Sequence, residues 1–237
     1  MDYIQLGDIS IEVVQKDIKN LHLSVYPPKG RVHISAPARM KLDTIRIYAI
    51  SKLSWIKKQQ EKIVNQKREA PREFLTKESH YFLGKRYQLK VIELDTVPVV
   101  NLTHKTIELY VRPGSTKDKK KELLDDWYRE QLRETASELI SHWEKKMKVK
   151  VSEVGIRKMR TKWGTCNEEA KRIWLNLELA KKPLECIEYI IVHEMVHFKE
   201  RNHNNKFIAY MDHFLPEWKQ LKMELNRLPV SHVEWGY

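Results

Sequence analysis

From Tyr189 to Phe198 the chain is apolar nearly all round a helix: Tyr189, Ile190, Ile191, Val192, Met195, Val196 and Phe198 leave almost no polar face. A helix of that kind has to be buried on every side, so it sits at the centre of whatever fold the chain adopts. Three polar residues interrupt it: His193, Glu194 and His197. Placing them in a core without partners would cost several kcal/mol, and something must satisfy them.

The interruption His193-Glu194-Met195-Val196-His197 has the spacing H-E-x-x-H. Residues four apart share a helix face, so both imidazoles can reach one ion, and Glu194 projects beside them. Zinc is the expected ion, one per chain. It brings the pKa of a bound water to about 7 and polarises a carbonyl, and Glu194 is placed to act as general base. A catalytic zinc takes three protein ligands and leaves one position open. His203 is the favoured third ligand and Glu200 the rival. On a continued helix His203 would stand about 15 Å along the axis from His193, so the chain has to break after about Glu200. Arg201-Asn202-His203-Asn204-Asn205 suits a break, because Asn tolerates the left-handed conformation.

The remaining chain reads as α+β. Alternation at Ile9, Ile11, Val13, at Leu21, Leu23, Val25 and at Val32, Ile34 predicts strands, with a turn at Pro27-Pro28-Lys29-Gly30. Asp43 is the expected N-cap of a helix to about Gln66. Four strands between Tyr81 and Val111 look like an antiparallel meander, closed by Pro113-Gly114. Ser115 with Asp118 resembles a capping box for a helix to about Met147. Strands follow at Val151–Arg157 and Arg172–Leu177, then helices from Pro183 to about Lys199, Asn205–His213 and Pro216–Leu225. No internal repeat is visible. Pro113-Gly114 is the expected seam between a β-rich N-terminal region, 1–114, carrying one long helix, and a helix-rich zincin-like core, 115–237, with packing of the two as a single body as the alternative.

Forty-four Lys and Arg against 32 Asp and Glu give a net +12, which draws a protein toward polyanions or simply keeps it soluble. From Glu144 to Arg172 ten basic residues face four acidic ones. Arg157, Lys158, Arg160 and Lys162 are therefore candidate contacts for weak, non-specific DNA binding, with an ordinary solvated face as the alternative. Two cysteines make no disulfide framework, no apolar run approaches the ~20 residues of a membrane span, and the first residues read as no secretion signal. A cytoplasmic protein without membrane contact is expected.

The spacing His197-x5-His203 also occurs in metzincins, but those place Gly where this chain has Glu200, and their Met-turn is not evident. Lys162-Trp163-Gly164-Thr165-Cys166-Asn167, Ile173-Trp174-Leu175-Asn176, Pro183, Tyr189 to His197, Asn202-His203-Asn204, Phe207 and Leu215-Pro216-Glu217-Trp218 together resemble the YgjP-like metallopeptidase family, relatives of the SprT and WLM zinc peptidases. The resemblance is strongest over residues 150–220. It implies a zincin-like peptidase core, an active-site helix with two ligands, a third histidine just after it, and a protein or peptide substrate. Thr165 and Met195 depart from the commoner Ser and Leu. Trp163 is a candidate wall of the substrate cleft or a core anchor, Gly164 a candidate turn residue, and Cys166 an inhibitory thiolate or a small buried residue. Three rival readings stand: a basic nucleic-acid-associated protein with structural zinc, a zinc hydrolase of a non-peptide amide, and a latent, inactive zincin.

Overall fold

The computed structural model describes residues 2–27, 29–65, 71–159 and 161–229. These fall into two compact units, one within Met1–Arg68 and the other within Glu69–His232.

The first unit opens with strands β1 (Asp2–Leu6), β2 (Ile9–Lys16), β3 (His22–Tyr26) and β4 (Arg31–Pro37), in the order β1-β2-β4-β3 with β2 and β4 parallel. Ile11, Val13, Val32 and Ile34 turn one face inward, onto Ile45, Ala49 and Ile56 of the helices that follow. The single helix expected from Asp43 is two, α1 (Leu42–Ser51) and α2 (Leu53–Asn65). The break falls at Lys52 (φ −103°, ψ 5°), where the Ser51 hydroxyl donates to the Tyr48 carbonyl at 2.7 Å and competes with the helical ladder. Lys41, not Asp43, is the N-cap; Asp43 lies in the first turn, where its charge favours the helix dipole.

The second unit repeats that strand plan. β5 (Ser79–Phe82), β6 (Lys85–Glu93), β7 (Val99–Leu102) and β8 (Thr106–Val111) run in the order β5-β6-β8-β7, with β6 and β8 parallel. The expected meander is therefore wrong. Burial explains the order. β8 alternates with Ile107, Leu109 and Val111 fully buried, whereas β7 is mostly exposed, so β8 takes the centre and β7 the edge.

Helix α3 (Lys117–Met147) packs Leu124, Tyr128, Leu132, Ala136, Ile140 and Trp143 into the same core as that sheet. Pro113-Gly114 consequently lies inside one unit and does not separate two, because the residues on either side of it share one core. The cap of α3 is Thr116, whose side chain accepts from Lys119 N at 3.3 Å; Ser115 instead donates its hydroxyl to the Arg112 carbonyl.

Behind α3 stand β9 (Glu153–Arg157), β10 (Gly164–Asn167) and β11 (Arg172–Asn176), in the order β10-β11-β9 with β9 parallel and β10 antiparallel to β11. Strand β10 was not expected from sequence. A 3-10 turn, Leu177–Lys181, leads into α4 (Leu184–Val196), which is buried over most of its length, and α5 (Asn205–Phe214) and α6 (Trp218–Arg227) close the unit. Among the described residues no helix is long and apolar enough to cross a membrane.

His80 of β5 is a buried imidazole in this unit. Burial, then the positive charges of Arg72 and Lys181, hold its pKa near 3. The Glu78 carboxylate oxygen 3.6 Å away offers little relief, since Arg72 stands 3.6 Å from the same atom. A folded-state pKa below the unfolded value near 6.5 means that the unfolded chain binds the proton more readily, so stability present above pH 6.5 is lost as pH falls from there toward 3. Urea unfolding at pH 7 and pH 5 should show the wild type losing about 1–2 kcal/mol more than His80→Leu over that interval.

Candidate metal centre

Helix α4 places His193 and Glu194 in its last turn and ends at Val196. The expected continuation to Lys199 does not occur. His197 is the C-cap with helical dihedrals (φ −60°, ψ −23°), so it keeps its place one turn beyond His193. The next amides then tighten: Phe198 N bonds Met195 O at 3.1 Å, and Lys199 N and Glu200 N both bond Val196 O, at 2.9 and 3.0 Å. The chain thus turns three residues earlier than expected. Its asparagines act differently too: Asn202, Asn204 and Asn205 are not among the positive-φ residues. Asn204 is extended, and its side chain accepts from Phe207 N at 3.0 Å to cap α5. That cap fixes His203 immediately before the new helix.

The three imidazoles converge. One ring nitrogen from each of His193, His197 and His203 lies within 4.8 Å of the others, and the Nε2 atoms of His193 and His203 face each other at 3.0 Å. The buried ring of Phe207 stands 4.6–5.0 Å from all three ring centroids and forms the apolar floor of the cluster. His197 Nδ1 bonds the Glu200 carbonyl at 3.2 Å, which leaves Nε2 as the free donor atom of that ring. Glu200, the rival ligand, therefore serves through its backbone. Its carboxylate instead accepts from Asn202 N at 3.3 Å and lies 3.8 Å from Lys206.

These residues fit a metal ion on their own chemistry. Burial, then the neighbouring His197, His203 and Lys222, holds His193 near pKa 3, and burial lowers His203 as well, which favours the neutral form that a metal ion would need. Two facing Nε2 atoms and a buried His193 Nδ1 with no hydrogen-bond partner are costly for imidazoles left to themselves.

Glu194 is 6% exposed, and burial pushes its carboxyl up to about 7 against the pull of Lys162. It faces a cleft of about 720 Å³ shared with the three histidines and with Trp163, Gly164 and Cys166 of the β10 segment. Gly164 is not a turn residue. It lies in β10, and a Cβ there would stand 2.8 Å from Glu194 Oε1 and 3.0 Å from Ile190 Cγ2. Only glycine lets this strand lie against the helix at the carboxylate.

Trp163 is both wall and anchor: it lines the cleft, packs on the core, and lies under Lys182 with Nζ 5.7 Å from the ring. Cys166 has its thiol pushed up to about 12, by burial first and then by Glu194 and Glu168, and it is not part of the imidazole cluster. Lys162 lines the cleft, Lys158 ion-pairs with Asp125, and Arg157 lies 4.9 Å over the Trp174 ring; Arg160 lies outside the described residues.

Asn176 had no assigned role in the sequence, yet it shapes this wall. Its Nδ2 donates to Met159 O and Lys162 O at 3.0 and 2.9 Å, while Oδ1 accepts from Met159 N and Glu178 N at 3.3 and 3.2 Å. A buried polar residue closing the apolar strand Ile173–Leu175 was the available signal.

A buried carboxylate beside an imidazole cluster that could hold a metal ion, open to a cleft, is the arrangement a metal-dependent hydrolase requires. Comparison with known families narrows the class: the YgjP-like metallopeptidase domain matches residues 19–228, and the chain belongs to that family. Among solved structures it is similar to the metallopeptidase zymogen abylysin of Pyrococcus abyssi, 20% identical over 41% of this chain and 99% of that one, with a TM-score of 0.37. The zymogen jannalysin of Methanocaldococcus jannaschii is 21% identical over 40% of this chain and 92% of that one, at 0.33. No protein of curated function matches the chain.

Gly164→Ala should displace Glu194 without touching the histidines. Metal analysis and turnover measured together should show metal content kept and hydrolysis lowered about ten- to a hundredfold.

Proposed function

We propose that the chain hydrolyses peptide bonds in a zincin-like core, with one zinc on His193, His197 and His203 and with Glu194 as general base. What supports it most is the meeting of three imidazoles and one buried carboxylate in a single open cleft. Zinc, when bound, supplies Lewis-acid polarisation of the scissile carbonyl and acidifies water. Glu194, with its pKa near 7, takes the proton of the attacking water and returns it to the leaving amine. Lys162 opposes the effect of burial and keeps a fraction of that carboxyl ionised at neutral pH. The Glu200 carbonyl holds the His197 ring, and the β10 backbone at Gly164 holds the Glu194 side chain against the cleft.

A structural zinc is the poorer reading, because the candidate cluster among the described residues has three protein donors and no fourth. Protein or peptide is the substrate class that the family implies.

Glu194→Gln should keep zinc and fold and lose about a hundredfold or more in turnover of an unfolded protein substrate. Equal rates would remove Glu194 as the base. His203→Ala should lower zinc content; undiminished zinc would take His203 out of the site.

A further inference from the structure

The positive charge is unevenly placed. Residues 1–68 hold thirteen Lys and Arg against six Asp and Glu, so under a third of the chain carries more than half of its net charge. Much of this stands along one side of α2. Lys52 at the break, then Trp55, Lys58 and Lys62, follow at spacings of three and four, which align them on a helix face. Glu61 is the one acidic residue of α2. Glu12 is no counterweight, being held 3.3 Å from Arg31 and 3.4 Å from His33.

Trp55 is 44% exposed, and beside it opens a groove of about 340 Å³ along β3, an edge strand of its sheet. Tyr48, Lys52 and Trp55 of the helices form one wall, and Leu21 to Ser24 form the other. Lys52 Nζ lies 5.8 Å from the Tyr48 ring centroid, and among the described residues none of Lys52, Lys58 and Lys62 makes an ion pair. Aromatic faces flanked by unpaired cations match the two demands of an unpaired strand, stacking for its bases and neutralisation for its phosphates.

We propose that this groove binds single-stranded nucleic acid, with Tyr48 and Trp55 as stacking platforms and Lys52, Lys58 and Lys62 on the backbone. A duplex keeps its base faces stacked inside and offers none to Trp55. An acidic peptide paired along β3 would answer the lysines but make no special use of the half-exposed indole. The proposal is independent of the peptidase reading, since no residue of the metal centre takes part.

The test is a fluorescence-anisotropy titration of the full chain with fluorescein-labelled oligothymidylate at several salt concentrations. Binding should weaken with a log–log slope of about −0.7 per phosphate contacted, and joint replacement of Lys52, Lys58 and Lys62 by Gln should flatten it by about two units. Trp55→Ala should weaken binding by about fivefold to a hundredfold, and Trp55→Phe should restore most of the loss. Arg157→Gln with Lys158→Gln should leave affinity and slope as in the wild type. Matching circular-dichroism melts of the variants separate loss of contact from loss of fold. Absence of binding at low salt would overturn the proposal, as would affinity unmoved by Trp55→Ala and the lysine replacements. So would displacement by oligoglutamate as effective as displacement by unlabelled oligothymidylate, which would identify the groove as a peptide site.

Discussion

The desolvation of helix α4 governs the second unit. The helix is buried over most of its length, so the groups that surround it are fixed by what its side chains require. Ile187, Ile191, Val192 and Met195 share one apolar core with α3, α5 and α6, while His193 and Glu194 have to be met by something polar. The chain answers with a cleft at the helix end, where the ladder terminates and backbone groups are free to turn outward.

The cleft depends on backbone more than on side-chain variety. The Glu200 carbonyl orients one imidazole, the Asn204 cap delivers another, and bare backbone at Gly164 confines the carboxylate. Such support is stiff, because each piece belongs to an element already held by its own ladder or cap, and precise placement of reacting groups is what catalysis requires of a scaffold.

What could be read from the sequence follows the same division. The buried helix, the long α3 and the alternating strands announce themselves by periodicity, and the histidine spacing points to a shared ion. The strand order does not, because periodicity reports which face of β7 or β8 is apolar and not which strand takes the centre; that is decided by competition between them for burial. The break at Lys52 turns on one hydroxyl–carbonyl bond, and the cap at Thr116 on a shift of one residue, both below what pattern resolves. Gly164 was legible as a glycine but not as a contact, since its reason lies thirty residues away in Glu194.

The repeated strand plan has a consequence for how the chain acquires its shape. In each four-stranded sheet the outer pairs are local hairpins, β1 with β2 and β3 with β4, then β5 with β6 and β7 with β8. The central parallel pairs join distant residues, Ile11 to Val32 and Leu89 to Ile107. Hairpins close in about 1–10 μs, whereas a parallel partner has to wait for the intervening segment to cross. Each sheet is thus assembled from two ready-made ribbons whose meeting is the slow event.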